Sequence, residues 1–390
     1  MSTPRTARIA ISGGGLGGLA CARVLQLHGF DVSVYERETS VDARWQGGTL
    51  DLHVPTGQAA LRVAGLYERF TELARPEGQE VREYEHLTGA LLLHEKPEAG
   101  TVEAPEIDRG RLRALLLESL APGTVLWGRQ TDTVTPAADG RASIRFGDGS
   151  IETFDLVIGA DGAWSRTRQA LSGIEPSYLG TTFVGNVLED ADNRHPALAE
   201  LVGGGTLSAR SGSTALVALR NSAGQIQVFV SLDIPLDWAD KTGPSIEDTG
   251  AVRAYLLKAV EGWDARLLDL IRESDAHYTS WPLFVLPVGH SWSHVPGITL
   301  LGDAAHLMPP YGIGANLALL DGTDLATAIA EHDDLDEAVR AYEAMAIPRG
   351  TAGAQACAEI TASLLTTAIV HGGSRRDDLN ARLINAVDTP

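Results

Sequence analysis

Residues 7–36 read ARIAISGGGLGGLACARVLQLHGFDVSVYE, and this stretch decides the fold. Apolar residues predominate at positions 7–12 as in a buried strand, recur with helical spacing over 16–27 and form a second strand pattern over 31–36. A strand, a helix and a second strand in this order predict a βαβ unit, which places both strands in one parallel sheet. The chain is therefore expected to be an α/β protein.

The glycines between the first strand and the helix fit the pattern G-x-G-x-x-G through Gly13, Gly15 and Gly18. In that pattern Gly13 permits the tight turn, Gly15 lets the backbone approach a pyrophosphate, and Gly18 lets the helix pack on the strand. The amides at the start of the helix then face the anion. Glu36 ends the second strand, where a carboxylate can accept hydrogen bonds from a ribose diol. The stretch thus predicts a dinucleotide site rather than a glycine-rich turn without a ligand.

Composition limits the remaining function classes. The 390 residues include 31 Lys and Arg against 51 Asp and Glu, so the net charge is −20. This acidic excess opposes binding to nucleic acid or to an anionic bilayer. Cys21 and Cys357 are too few for a disulfide framework or a metal-ligand pattern, and no apolar run has the length of a membrane span. We expect a cytoplasmic protein without a metal, a nucleic-acid partner or a membrane anchor.

Later segments predict the rest of the architecture. Residues 156–160 and 298–301 have the pattern of buried strands that return to the first sheet. Short β-rich runs at residues 205–209, 215–220 and 225–232 predict a second, mainly antiparallel sheet. This sheet is inserted into the first domain, because a strand of the first sheet follows it. Helical spacing recurs in three further segments, residues 251–270, 317–330 and 352–369.

Three more segments indicate which dinucleotide is bound. They are PEIDRGRLR at residues 105–113, GADGAWSRTR at 159–168 and GDAAHLMPP at 302–310. Together with the glycine motif they resemble the group A FAD-dependent aromatic monooxygenases, the para-hydroxybenzoate hydroxylase superfamily. VYER at residues 34–37, GGTLDLH at 47–53 and the HLMPP string are similar to the tetracycline-inactivating flavin monooxygenases of the TetX type.

The resemblance implies a Rossmann-like FAD-binding domain with an inserted, mainly antiparallel β-sheet substrate domain and a long C-terminal helix. It also implies noncovalent FAD, NADPH or NADH as a transient reductant, and a monomer. The expected boundaries are residues 1–75, 100–175 and 285–345 for the FAD-binding domain, 76–99 and 176–284 for the substrate-binding domain, and 346–390 for the C-terminal helix.

The resemblance assigns roles to residues outside the glycine motif. Asp303 would bind a ribityl hydroxyl of FAD, and Arg109 would reach the ribityl chain or the ring edge. Asp51 would lie on the FAD side of a Gly-Gly turn, and Arg44 would meet NADPH unless it is a solvated surface charge. Asp161 would serve FAD and NADPH binding partly by bracing neighbouring backbone. The expected cofactor-binding residues are Gly13, Gly15, Gly18, Glu36, Arg37, Arg44, Asp51, Arg109, Asp161, Asp303, Gly312, Gly314 and Asn316.

The loop after residue 310 departs from the family pattern. Relatives continue with aromatic-Ala-Gly-Gln-Gly-x-Asn, whereas residues 311–316 read YGIGAN, one residue shorter and with Ile313 in place of the glutamine. The loop still supplies glycines and a helix start at Asn316. Its backbone amides can therefore stabilise negative charge on a reduced flavin.

The expected substrate contacts depart as well. Alignment with TetX-type strands puts Asn186, Thr206 and Gln227 where Gln, Arg and His bind substrate, and Gly312 is the fourth expected contact. These replacements remove polar contacts to the oxygens of tetracycline. A site loses its ligand steeply when buried partners go unpaired.

The expected function is hydroxylation of a bulky aromatic or enolic compound, tetracycline-like or another polycyclic, with NAD(P)H, FAD and molecular oxygen. By resemblance the reaction proceeds through a flavin C4a-hydroperoxide, and the TetX likeness links it to antibiotic resistance. No side chain is assigned a catalytic role, because the cofactor carries the chemistry. Two alternatives share the motifs: an FAD oxidase or dehydrogenase without oxygen transfer, and a noncatalytic drug-binding protein.

Overall fold

The glycine motif lies between a strand and a helix, as predicted, in a computed structural model that describes residues 6–43, 47–98, 103–275 and 277–366. Within these residues the strands are, in chain order, β1 (Ile9–Ser12), β2 (Val32–Glu36), β3 (Thr49–Asp51), β4 (Val81–Tyr84), β5 (Leu91–Glu95), β6 (Glu106–Asp108), β7 (Val125–Trp127), β8 (Thr131–Pro136), β9 (Ala142–Phe146), β10 (Ile151–Phe154), β11 (Leu156–Gly159), β12 (Ser177–Leu188), β13 (Thr206–Ser211), β14 (Thr214–Arg220), β15 (Ile226–Asp233), β16 (Thr279–Val285) and β17 (Ile298–Leu300).

The helices of the same described segments are α1 (Leu16–Leu27), α2 (Ala59–Val63), α3 (Tyr67–Leu73), α4 (Arg109–Glu118), α5 (Arg166–Gln169), α6 (Ala191–Arg194), α7 (Pro196–Val202), α8 (Trp238–Lys241), α9 (Thr249–Ala259), α10 (Ala265–Arg272), α11 (Asp303–His306), α12 (Gly314–Glu331) and α13 (Leu335–Thr366). A π-helical turn, Val54–Gln58, precedes α2, and a 3-10 turn, Pro76–Gln79, precedes β4.

Five strands form the parallel sheet that the βαβ motif predicts. Their spatial order is β17-β11-β1-β2-β7, and every neighbouring pair is parallel. Ile9 and Ile11 face the larger apolar core, which includes α1 and α12, while Ala10 faces a smaller core with Tyr35. Both faces of the sheet are covered, which explains why its strands are mainly apolar.

A seven-stranded sheet contains the β-rich runs predicted for the substrate domain. Its order is β16-β12-β15-β14-β13-β4-β5, and neighbouring strands are antiparallel except for β13 and β4. Helices α7, α9 and α10 cover one face and share an apolar core with it. Strands β12 to β16 lie between β11 and β17 in the chain. Most of this sheet is therefore an insertion into the parallel sheet, as predicted.

A three-stranded antiparallel sheet, in the order β10-β9-β8, is absent from the sequence prediction. Its aromatic side chains pack on the parallel sheet. The ring centroids of Phe146 and Phe154 lie 4.7 and 5.7 Å from that of Tyr35. The hairpins of this sheet therefore cover the second face of the parallel sheet near β2.

The helix predicted for residues 251–270 is two helices, because α9 ends at Ala259 and α10 begins at Ala265. Gly262 between them has a φ of 84°, a left-handed conformation that interrupts a helix. The Asp264 side chain then accepts a hydrogen bond from the amide of Arg266 and caps α10. Because apolar residues lie on both sides of the break, their spacing in the sequence does not reveal it.

The C-terminal helix α13 begins at Leu335, before the expected boundary at residue 346. Asp334 sets this start, because its carboxylate accepts hydrogen bonds from the amides of Asp336 and Glu337. The expected end at residue 390 lies outside the described residues. None of the helices in the described part of the chain combines the length and apolar composition that a membrane span requires.

Helices α1 and α12 cross at glycines, so their backbones are in contact. A methyl group on Gly17 would lie 2.4 Å from the carbonyl oxygen of Ala318. One on Gly322 would lie 2.2 Å from the carbonyl oxygen of Gly17. Both distances are far shorter than a van der Waals contact. The crossing brings the amino terminus of α12 close to the amino terminus of α1.

We expect Gly322→Ala to lower the urea midpoint of unfolding. The added methyl group would push α1 and α12 apart, and overpacking of this kind costs about 1 to 3 kcal/mol. The helix propensity of alanine returns only about 1 kcal/mol. Gly250→Ala is the control, because Gly250 is exposed in α9 and its methyl group would have only Asp248 Oδ1 nearby, at 3.6 Å. Equal midpoints for the two variants would contradict this prediction.

Candidate cofactor and substrate site

The glycine turn after β1 has the shape of an anion site. Gly13 has a φ of 107°, and a methyl group there would lie 2.3 Å from the carbonyl oxygen of Ala160. A methyl group on Gly18 would lie 2.4 Å from the carbonyl oxygen of Gly13, so α1 packs directly on the turn. At Gly15 an added methyl group would meet no atom within 4 Å. The first amides of α1 have no acceptor within the helix and are available to an anion in this open space.

Glu36 and Arg113 brace the glycine turn from two sides. Glu36 is 8% exposed, and its carboxylate accepts hydrogen bonds from the amides of Gly14 at 2.7 Å and Glu38 at 2.9 Å. A carboxylate oxygen has two lone pairs, so Glu36 retains acceptor capacity for a hydroxyl. Arg113 is 4% exposed, and it donates from Nε to the carbonyl oxygen of Gly14 at 3.2 Å and from Nη2 to Glu38 Oε2 at 3.0 Å.

Arg113 lies in the motif at residues 105–113, but the sequence did not predict a role for it. It lies in α4 on the same buried side as Leu112, Leu115 and Leu116. A charged residue is almost never fully buried unless it is paired. Its position among leucines is the signal that could have identified it.

Asp161 holds the backbone next to the glycine turn. Its Oδ2 accepts hydrogen bonds from the amides of Arg166 at 2.9 Å and Thr167 at 3.1 Å, and its Oδ1 accepts one from the hydroxyl of Ser165. These bonds cap α5. Asp161 therefore contributes to the site through the backbone that it holds.

Asn316 ties the loop before α12 to the segment after β3. The Asn316 side chain is buried, and its Oδ1 accepts hydrogen bonds from two amides and a hydroxyl of residues 53–57. Its Nδ2 donates to the carbonyl oxygens of Asp51 and Gly312, both at 2.8 Å. These five bonds use the hydrogen-bonding capacity of the amide. The Asn316 side chain therefore positions the loop, and the expected contact of the helix start with the cofactor stays a prediction.

Carboxylates lie beside backbone amides at the amino terminus of α12. Gly312 has a φ of 90°, and a methyl group on it would lie 3.0 Å from Asp51 Oδ1. A methyl group on Gly314 would lie 3.8 Å from Asp303 Oδ1. The first amides of α12 carry the partial positive charge of a helix start. The structure therefore brings Asp51, Asp303 and the glycines of the loop together.

Ile313 anchors this loop to the C-terminal helix. It is 1% exposed and packs with Met308, Leu317, Ala354 and Cys357. Ala354 and Cys357 belong to α13. The apolar residue at the family's glutamine position thus has a packing role in this chain.

The three predicted arginines differ in their placement. Arg109 begins α4, is exposed and donates its amide hydrogen to the carbonyl oxygen of Gly48 at 3.0 Å. Arg37 follows β2 and is exposed. Arg44 lies outside the described residues, so its contact with NADPH stays a prediction.

Only two of the three predicted strand positions lie on the open face of the seven-stranded sheet. Asn186 pairs with Val228 on the helix-covered face, where its Nδ2 donates to a backbone carbonyl oxygen at 3.1 Å. Gln227 pairs with Val187, and it lies in one cross-strand row with Thr206 on the opposite face. Successive strand residues alternate between faces, so a one-residue alignment error reverses the face. The assignment of Asn186 to the substrate site is wrong, and Val187 takes its place in the row.

Aromatic side chains line the open face that also carries Gln227. The rings of Phe183 and Phe229 are stacked, with centroids 4.7 Å apart and an interplanar angle of 19°. Trp281 pairs with Phe183 on the next strand, so its side chain lies on the same face. Gln227 Oε1 would lie 3.6 Å from a methyl group on Gly48. The face thus offers aromatic stacking surface and a neutral amide beside the turn that precedes β3.

Residues 6–355 of the chain match the FAD binding domain family. The chain is 32% identical over 370 residues to Monooxygenase asqM of Emericella nidulans, covering 82% of this chain and 83% of that protein. Its structure is similar to that of Klebsiella pneumoniae HpxO complexed with FAD and uric acid, with a TM-score of 0.78, 21% identity and coverage of 98% and 93%. It is also similar to tetracycline destructase Tet(51), with a TM-score of 0.72, 18% identity and coverage of 100% of each chain.

The two structural similarities show the fold alone, because the sequence identities are only 21% and 18%. The family match is more specific, because it spans the glycine turn, both large sheets and most of α13. On this match and the likeness to asqM, the chain belongs to the FAD binding domain family and is a flavin-dependent monooxygenase.

Proposed function

We propose that the protein hydroxylates a bulky aromatic or enolic compound with FAD, molecular oxygen and NAD(P)H as a transient reductant. The observation that carries this proposal is the stacking surface of Phe183, Phe229 and Trp281 on the open sheet face. On the same face Gln227 offers a neutral amide beside Gly48.

The residues present fit FAD. The open space at Gly15, with the free amides of α1, suits a pyrophosphate, and the spare lone pairs of Glu36 suit a ribose hydroxyl. Asp303 suits the hydroxyls of a ribityl chain. The amides at the start of α12 suit the ring edge that gains negative charge on reduction. When bound, FAD supplies electron transfer from NAD(P)H and the activation of oxygen for insertion of one oxygen atom.

The chain's own residues would bind and orient the substrate. The Phe183 and Phe229 pair presents a stacking surface, and an aromatic contact of this kind contributes about 0.5 to 1.5 kcal/mol beyond area burial. The amide of Gln227 can both donate to and accept from a phenol or enol oxygen. Neither Gln227 nor Thr206 can clamp an enolate through two charge-assisted bonds as an arginine does. We therefore expect tetracycline to be a poor substrate, in spite of the TetX-like flavin segments.

Gln227→Ala should raise the KM for the accepted substrate about three- to tenfold without changing FAD content, because one neutral hydrogen bond is lost. A screen of NAD(P)H oxidation with polycyclic phenols and enols first identifies the accepted substrate. Mass spectrometry of the products formed under labelled oxygen gas then shows whether an oxygen atom is inserted. Gln225→Ala is the control, because the Gln225 side chain donates to Glu189 Oε2 at 2.8 Å instead. We expect its KM to equal that of the wild type.

Three results would contradict the proposed reaction or its site. A product without labelled oxygen would favour an oxidase or dehydrogenase. A well-coupled reaction with tetracycline as the best substrate would contradict the expected specificity. Equal increases in KM for Gln227→Ala and Gln225→Ala would contradict a contact between the substrate and Gln227.

Arg113→Met should raise the FAD dissociation constant about tenfold or more, because the carbonyl of Gly14 loses a charged donor that holds the glycine turn. FAD titration of the flavin-free protein measures this change. Arg111→Met is the matched control in the same helix, since Arg111 is half-exposed and lies 3.9 Å from Asp108. Similar FAD affinities in the two variants would argue against a bracing role for Arg113.

A further inference from the structure

Behind the Gly302-Asp303 turn, one buried carboxylate binds three groups from two segments, α11 with its cap residue and α13. Asp321 of α12 is 1% exposed, and its Oδ2 accepts a hydrogen bond from the amide of Gly302 at 3.0 Å. The same oxygen lies 2.6 Å from His306 Nε2. Its Oδ1 accepts a hydrogen bond from Arg349 Nη2 of α13 at 2.9 Å. These partners compensate the loss of hydration that burial imposes on the carboxylate.

His306 and Arg349 keep the buried carboxyl group ionised. Burial alone would lower the pKa of His306, but the charge and hydrogen bond of Asp321, together with the charge of Asp303, outweigh burial and hold that pKa above its ordinary value. Burial would raise the pKa of Asp321, but His306 and Arg349 hold it well below its usual range. Asp321 is therefore a hydrogen-bond acceptor only.

The turn that Asp321 holds has an unusual backbone conformation. Gly302 has a φ of 60° and a ψ of −142°, which residues with a side chain rarely adopt. The amide of Gly302 would lose its acceptor if Asp321 were replaced, and an unpaired buried donor is costly. Asp303 is the next residue and begins α11. The direction of the Asp303 side chain thus depends on the bond between Asp321 and Gly302.

Helix α13 holds the same segment at further points. The Tyr342 hydroxyl donates to the carbonyl oxygen of Leu300 at 2.9 Å, and Glu343 Oε1 accepts a bond from the Thr299 hydroxyl at 2.8 Å. Two helical turns further on, a methyl group on Gly350 would lie 3.0 Å from the His306 side chain. The helix that carries Arg349 therefore lies along the chain from the end of β17 to the end of α11.

We propose that Asp321 is a positioning residue for FAD, which together with Arg349 fixes the Gly302-Asp303 turn so that Asp303 can meet the ribityl chain. The inference rests on the FAD placement given under the proposed function. It makes the C-terminal helix a determinant of cofactor affinity, although α13 supplies no residue to the expected cofactor contacts. Asp321 acts through Gly302 and does not itself touch the cofactor.

Asp324 offers a matched control for this role. Its Oδ2 accepts a hydrogen bond from Nη1 of the same arginine, Arg349, at 2.7 Å. Asp321→Asn and Asp324→Asn therefore each remove one negative charge from a single guanidinium. An amide has one acceptor oxygen, so an asparagine at position 321 can satisfy either Gly302 or Arg349 but not both. An asparagine at position 324 can still accept a hydrogen bond from Arg349 with its amide oxygen.

The test is titration of the full-length, flavin-free wild type and both variants with FAD. We expect Asp321→Asn to raise the FAD dissociation constant about tenfold or more and to shift the visible absorption band of the bound flavin. Asp324→Asn should leave the dissociation constant within about twofold and the band unchanged. Urea midpoints of the flavin-free proteins show how much each change affects folding alone.

Arg349→Met replaces Asp321→Asn if the latter does not fold, because it removes the arginine's contact with Asp321 as well as its contact with Asp324. Its FAD dissociation constant should then exceed that of Asp324→Asn by the same factor. Equal affinities and spectra across the variants of a wild type that binds FAD would overturn this inference alone. A wild type that binds no FAD would overturn both the inference and the proposed function.

Discussion

Backbone contact at glycines is the constraint on which the site depends. Gly17 meets the backbone of α12, and Gly322 meets the backbone of α1, so the two helices approach until no side chain fits between them. Gly13 and Gly18 bring the turn, the neighbouring strand end and α1 equally close. The field of a helix start falls off within about one turn. Two helix starts can therefore serve one extended cofactor only because these glycines place them side by side.

This arrangement explains how a chain with a net charge of −20 can hold an anionic cofactor. Surface carboxylates repel anions at long range, but that repulsion is screened over about 8 to 10 Å at ordinary ionic strength. In the proposed site, backbone amides at the starts of α1 and α12 would act at contact distance, where screening is weak. The carboxylates near these amides, Glu36, Asp51 and Asp303, are suited to sugar and ribityl hydroxyls. The site thus separates its donors for anions from its acceptors for hydroxyls.

Local signals predict the parts of this fold that local sequence determines. The helix α1 and strands β1 and β2 follow from apolar periodicity and the glycine motif, both of which lie within residues 7–36. Asn186 was misassigned because a strand reverses its faces with each residue, and similarity across a variable sheet does not fix register that finely. The Asp321 contacts to Gly302 and Arg349 join three elements, so no motif contains them. The break at Gly262 was missed because periodicity does not register a single residue in a left-handed conformation.

The orientation of the loop before α12 follows from how α12 is anchored. Ile313 attaches the loop to α13 by apolar contact, which has no preferred direction and cannot by itself orient a backbone amide. Direction comes from two buried polar residues of α12: Asn316, which binds residues 51–57 and the loop, and Asp321, which binds the turn before α11. Both lie on a helix whose position is fixed by the contact between Gly322 and Gly17. Because each side chain binds donors that would otherwise be buried and unpaired, these two residues orient the loop, and Ile313 packs against α13.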